Sequence, residues 1–415
     1  MNPCEFIRGR GLPGRGQKEE LFTRQMKRKR GVTRQNSLFL LGRSAFRRDT
    51  TQANCSSVQK KLAESCHAYS TNYCIPKMIL DLRSDTVTRP TPEMLYAMMT
   101  APLGDDVFGD DPTVKALEAL AASRFGMEAG LFCASGTMTN QIALTVHVNA
   151  GDEVVCDALS HIYLYEGGGL MANARASVRL LTGDRGRMSA EQIEDAINNP
   201  ADIHLPVTRL VSLENTVNKG GGCYYRLPQI AAIREVCDRH GLVLHLDGAR
   251  VFNALVETGE DPTEYGRYFH SISVCLSKGL GCPVGSVLLG DKEFIEKARR
   301  VRKRMGGGWR QAGLLAAAGI HALESHVERL REDHRRARTI ETLLHQAPEV
   351  IGILPVETNI VIFQLAEGMK ATEYVEQLKK KGILAAPFGK DKVRFVTHLD
   401  FTDQHLAALE KRLSD

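Results

Sequence analysis

The sequence predicts an α/β protein: a large domain with a mostly parallel sheet flanked by helices, then a smaller α+β domain at the C-terminus. Three observations support this. The 415 residues are 43% hydrophobic, enough for a large core and two or three domains. From about Asp110, short apolar runs alternate with helix-patterned segments, the rhythm of strands joined by helical crossovers. Beyond about Leu330 that rhythm changes, with strands at Thr358–Gln364 and Val393–Val396 and helices at Ala371–Lys380 and Thr402–Leu413. The expected division is a basic extension over 1–77, a large domain with an N-terminal arm over 78–329, and a small domain over 330–415.

The extension explains the net charge of +5. Residues 1–77 hold 16 Lys/Arg against 5 Asp/Glu, leaving 38 against 44 for the rest. A basic excess confined to one segment argues against a nucleic-acid groove in the folded body and for a targeting extension or a disordered tail. Its Arg-rich composition resembles a mitochondrial presequence, although Glu19 and Glu20 are unusual in one, so a cytosolic and a mitochondrial location both stay open. Apolar runs are all too short to span a bilayer, and no membrane partner is expected. Ten scattered cysteines without a Cys-x-x-Cys pair read as reduced thiols of an intracellular protein, and no sequence-level metal site stands out.

In the body, Asp110-Asp-Pro-Thr-Val-Lys-Ala-Leu-Glu-Ala-Leu-Ala-Ala-Ser-Arg-Phe-Gly126 opens with acidic caps and an early proline, and it sets Val114, Leu117, Leu120 and Ala121 on one face. Gly126 suits the left-handed position that ends such a helix. Ala129–Gly136 reads as a strand running into a turn, and Thr137–His147 as the helix that follows. Free N–H groups at that helix start, with the hydroxyls of Ser135 and Thr137, can hold a phosphate, although such turns often only cap. Further strands are expected at Glu153–Asp157, Arg209–Glu214, Leu242–Asp247, Ile272–Leu276 and Val284–Leu289, with a helix at Leu227–His240 ended by Gly241.

Two strand ends carry the chemistry. Val243-Leu-His-Leu-Asp-Gly-Ala-Arg250 finishes an apolar strand in Asp247, and the next apolar run delivers Lys278 into a glycine-rich bend. In an open parallel sheet both side chains reach the ligand-binding edge. A lysine and an acid there, with a phosphate cradle on another loop, fit pyridoxal 5'-phosphate: the amine anchors the aldehyde and the carboxylate keeps the pyridine nitrogen protonated. Gly279 and Gly281 would let backbone and cofactor approach closely.

From about Ile79 almost to the C-terminus the chain resembles the low-specificity L-threonine aldolases, pyridoxal-phosphate enzymes of the aspartate-aminotransferase fold. The motifs are Asp81-Leu-Arg-Ser-Asp-Thr-Val-Thr-Arg-Pro90, Gly104-Asp-Asp-Val-Phe-Gly109, Ala134-Ser-Gly-Thr-Met-Thr-Asn140, Ser160-His-Ile-Tyr163, His245-Leu-Asp-Gly-Ala-Arg250, Ser277-Lys-Gly-Leu-Gly281 and Gly306-Gly-Gly-Trp-Arg-Gln-Ala-Gly313. The resemblance implies a seven-stranded main sheet. It also implies retro-aldol cleavage of L-threonine or L-allo-threonine, small β-hydroxy amino acids, to glycine and an aldehyde. Lys278, His161 and Asp247 would be catalytic, with His161 stacked on the cofactor ring. Ser135, Gly136, Thr137, Arg250 and Arg310 would complete the cofactor site, and Ser84, Arg394 and Lys303 the substrate site. A homodimer or homotetramer with shared active sites is implied as well. The other readings kept open are a β-eliminating lyase or racemase on the same scaffold and a non-catalytic interaction protein.

Two positions depart from the family pattern. Val217, in Leu213-Glu-Asn-Thr-Val-Asn-Lys-Gly-Gly221, replaces a histidine expected to contact the substrate β-hydroxyl, which leaves the choice between threonine and allo-threonine open. Phe108 stands where tyrosine is common.

Overall fold

The computed structural model describes residues 78–414, so the expected nature of residues 1–77 lies outside the described residues. The body is built from strands β1 (Leu80–Asp81), β2 (Ala129–Cys133), β3 (Glu153–Asp157), β4 (Ser177–Leu181), β5 (Thr208–Glu214), β6 (Val243–Gly248), β7 (Ser271–Cys275) and β8 (Ser286–Gly290), followed by β9 (Val350–Ile353), β10 (Ile360–Leu365), β11 (Ile383–Leu384), β12 (Ala386–Pro387) and β13 (Lys392–Val396). The main sheet has seven strands in the order β2-β8-β7-β6-β5-β3-β4. Only β8 runs antiparallel to its neighbours there. The later strands form an antiparallel four-stranded sheet, β12-β13-β10-β9.

Local signals place the helices. Asp111 caps the helix Pro112–Arg124, accepting from the N–H groups of Thr113 and Val114 at 3.0 Å each, and its second oxygen takes the N–H of Gly313 at 2.9 Å. Leu117 and Ala121 of that helix enter the main core. Gly126 (φ +62°) and Gly241 (φ +62°) hold the left-handed positions expected of them. Ser135 caps a helix that starts one residue earlier than expected, Gly136–His147, by accepting from Met138 N–H at 3.2 Å.

The β8 strand begins at Ser286, not Val284, because Gly285 bends the chain with φ +127°. Two edge strands escape the sequence pattern. β4 is half exposed and interrupted by Arg179, and β9 is a four-residue apolar run, Val350–Ile353, with a glycine inside it, which weakens the strand signal.

A second core lies between the small sheet and its helices. Leu80 and Leu82, from the start of the described chain, belong to it, and β1 pairs in parallel with β11. Helix Leu330–Leu344 bridges the two cores, with Leu330 in the first and Ala337, Ile340 and Leu344 in the second. The edge where the parallel strands end therefore faces the small sheet.

Candidate active site

A cavity of about 340 Å³ opens at that edge, and its walls include Ser84, His161, Asn218, Arg250, Lys278 and Arg394. Lys278 enters from the bend after β7, its Nζ 3.2 Å from the Sγ of Cys275. Burial disfavours charge on the amine. The thiol beside it, with the carboxylates of Asp85 and Asp247, together outweighs that, so the lysine pKa is raised; burial would raise the thiol, but the charge of Lys278 and hydrogen bonds around the sulfur lower it.

Asp247, next to last in β6, is paired in register with Glu214 on one side and Ser273 on the other. It is 2% exposed, and its Oδ2 accepts from Asn140 Nδ2 at 2.9 Å while Oδ1 accepts from Ala249 N–H at 3.1 Å. Two carboxylates side by side repel. Burial, then the charge of Asp247, pushes Glu214 up to about 7, although Glu214 accepts from the N–H groups of His161 and Asn218 at 2.8 Å each.

His161 borders the cavity, with Nδ1 3.1 Å from Glu166 Oε1. Burial alone would lower its pKa, but the hydrogen bond to Glu166 and then the charge of Asp247 raise it. A carboxylate at Nδ1 fixes the proton there and leaves Nε2 as the basic nitrogen.

The start of helix Gly136–His147 is placed for an anion. The N–H groups of its first turn precede the first intrahelical bonds, and its dipole favours negative charge. A side chain at Gly136 would meet only Ser286 Oγ, at 3.8 Å, and that buried hydroxyl has no hydrogen-bond partner among the described residues. Thr139 Oγ1 lies 2.6 Å from Ser273 Oγ, so the helix is seated against the strands that carry Asp247 and Lys278.

The two arginines of the cavity differ in their neutralisation. Arg250 makes a two-pronged pair with Asp85, 2.7 Å at each contact. Burial would raise that carboxyl, but Arg250 outweighs it and holds Asp85 at about 2. Arg394 has no carboxylate: Nη1 donates to Asn218 Oδ1 at 2.9 Å, Nη2 to the Arg83 carbonyl at 3.0 Å, and buried Nε to nothing among the described residues. Burial and then the charge of Arg250 pull it down to about 10, still a cation at neutral pH. Ser84 caps the short 3₁₀ turn Asp85–Val87 that supports Asp85.

Other expected residues lie elsewhere. Arg310 pairs with Asp105 at 3.0 Å and covers the exposed ring of Phe108, while Lys303 borders a different cavity with Asp106 and Arg302. Neither lines the Lys278 cavity of its own chain, because one is drawn to Asp105 and the other projects from the far helix Lys292–Arg304. Val217 does not face a substrate hydroxyl either. It is 1% exposed, packed in the main core, and opposes Gly186, where an added side chain would meet its Cγ1 at 2.6 Å. Its neighbour Asn218 lines the cavity instead.

Asn140, Glu166 and Glu214 are site residues that sequence reasoning missed. Asn140 and Glu166 stand in the quoted motifs or just beyond them, but only the fold joins them to Asp247 and His161.

Residues 81–368 match the model of the beta-eliminating lyase family. A probable low-specificity L-threonine aldolase 2 of Arabidopsis thaliana is 42% identical over 330 residues, covering 78% of this chain and 93% of that protein. The low specificity L-threonine aldolase of Escherichia coli K12 is 42% identical over 334 residues, covering 79% and 96%. Among solved structures, a Leishmania major threonine aldolase superposes with a TM-score of 0.70 at 20% identity, over 81% of this chain and 98% of that one, which shows the shared fold. Identity at that level over nearly the whole length of these relatives makes the chain a member of the low-specificity L-threonine aldolase family.

Proposed function

We propose that the protein is a pyridoxal-phosphate lyase cleaving L-threonine and L-allo-threonine to glycine and acetaldehyde, with Lys278, Asp247 and His161 as its catalytic residues. The observation that carries the reading is the pairing, in one cavity, of a buried amine and a guanidinium that lacks a carboxylate. An amino-acid substrate supplies that carboxylate.

The residues fit the cofactor. The Lys278 amine suits the aldehyde, the buried Asp247 carboxylate suits the pyridine nitrogen, and the free Ser286 hydroxyl beside open Gly136 suits a phosphate with Ser135 and Thr137. His161 would cover the ring, with Arg250 beside it.

When bound, pyridoxal phosphate supplies the electron sink for the pair released as the Cα–Cβ bond breaks. Asp247, fixed by the Asn140 amide and the Ala249 N–H, would hold the proton on the pyridine nitrogen. Arg394 grips the substrate carboxylate with Ser84 at its side, orienting the Cα substituents so that the Cα–Cβ bond is the one broken. His161 takes the β-hydroxyl proton on Nε2, the Cβ–O bond becomes the aldehyde carbonyl, and a proton returned to Cα gives glycine.

Incubation with L-threonine, L-allo-threonine and L-phenylserine tests the reading. Glycine and the matching aldehyde are expected. Their absence from all three overturns it, and 2-oxobutanoate with ammonia from threonine would assign β-elimination instead.

A homodimer or homotetramer follows the same reading. Lys303 and Arg310 would then serve the partner's site, and exposed Leu95, Tyr96 and Met99 offer an apolar face for a second copy.

A further inference from the structure

A buried polar thread runs from the cavity along one face of the main sheet, between the helix Gly136–His147 and strands β6 and β7. Asn140, 1% exposed, gives both amide hydrogens to carboxylates: its Nδ2 lies 2.8 Å from Glu166 Oε1 and 2.9 Å from Asp247 Oδ2. Flipped, the amide would turn its oxygen toward both carboxylates, so its orientation is forced. Its Oδ1 lies 3.2 Å from His245 Nε2, His245 Nδ1 lies 2.8 Å from Ser271 Oγ, and Ser271 Oγ lies 2.9 Å from His147 Nε2.

Burial keeps both histidines neutral, His245 at about 4 and His147 at about 3. One placement of hydrogens then satisfies every contact. His147 Nε2–H donates to Ser271, Ser271 O–H to His245 Nδ1, His245 Nε2–H to Asn140 Oδ1, and the Asn140 amide to the two carboxylates. Every donor points toward the cavity.

We infer that Asn140 is a positioning residue, oriented by His245, whose single amide ties together Asp247, the pyridine-nitrogen partner, and Glu166, the carboxylate that holds His161. The inference rests on the proposed cofactor site. It means that the acid at the ring nitrogen and the base above the ring are aligned by one group. Gln141, which donates to Glu166 Oε2 at 2.6 Å, steadies the second oxygen.

The test has two arms. Nitrogen-15 NMR of the cofactor-free, full-length protein reads the His245 tautomer, and Nε2–H is expected. The Nδ1–H form would overturn the thread. In the second arm, Asn140→Leu should weaken pyridoxal-phosphate affinity and lower kcat by roughly 10- to 100-fold, the loss of one hydrogen bond to each of two charged groups, with KM for L-threonine nearly unchanged. His245→Phe should move both in the same direction. His245→Gln, which keeps an N–H for Asn140, should restore most of each. Wild-type affinity in Asn140→Leu, or equal behaviour of the two His245 variants, would overturn the inference. If the wild-type chain bound no pyridoxal phosphate, the functional reading would fall and the role assigned to Asn140 with it, while the tautomer would still report whether the thread itself exists.

Discussion

Replacing Arg394 by methionine separates binding from folding more sharply than any other change in the cavity. The guanidinium is held by two neutral acceptors, Asn218 Oδ1 and the Arg83 carbonyl, and feels the charge of Arg250. On the proposed reading its removal deletes two charge-assisted hydrogen bonds to the substrate carboxylate, about 3–4 kcal/mol in all, so kcat/KM for L-threonine should fall roughly 10²- to 10³-fold. The folded state loses an unneutralised cation, and its unfolding free energy should stay within about 1 kcal/mol of wild type. Arg250→Met behaves oppositely: it strands the buried Asp85 carboxylate and should cost about 3–5 kcal/mol of stability. Aldehyde release coupled to alcohol dehydrogenase reads the first quantity, and urea unfolding reads the second. An Arg394→Met protein with near-normal kcat/KM, or one destabilised as much as Arg250→Met, would refute the argument that substrate supplies the missing charge.

Lys278→Ala should fold normally yet lose the visible absorbance of the anchored cofactor, and an unchanged spectrum would move the anchor elsewhere. Glu214 has its folded pKa raised to about 7 from an unfolded 4.5, so the stability it contributes is full below pH 4.5 and lost as pH rises through about 7. Glu214→Gln should flatten that decline, on the order of 3 kcal/mol, in thermal melts between pH 4.5 and 8; a slope identical to wild type would contradict it. Val217→Ala should lower stability by about 2 kcal/mol through a core cavity while leaving the threonine to allo-threonine rate ratio unchanged, and a shifted ratio would place residue 217 at the substrate after all.

How much of this was legible in the sequence depends on where each residue gets its partners. Lys278 and Asp247 could be read because strand ends and glycine-rich bends are local patterns, and Ser135 because a cap sits beside its helix. Asn140 could not, since its carboxylates lie 26 and 107 residues away. Val217 misled for the related reason that alignment fixes a position in a loop but not which way the side chain turns; here the close approach to Gly186 takes it into the core. Arg310 and Lys303 carry the right charge in matching motifs, yet one chain alone leaves them outside its own cavity. The edge strand β4 was hidden by its half-exposed, arginine-interrupted composition, and β9 by its brevity and the glycine inside it.

The stitching of β1 to β11 has a bearing on heat inactivation. Leu80 and Leu82 pack in the second core, and the guanidinium of Arg394, on β13, holds the carbonyl of Arg83. The substrate grip thus belongs to the smaller core, while Lys278, Asp247 and the helix-start cradle belong to the main sheet. If the smaller core loosens before the main sheet on warming, the proposed grip should fail while the proposed anchor stands, so turnover would be lost before colour.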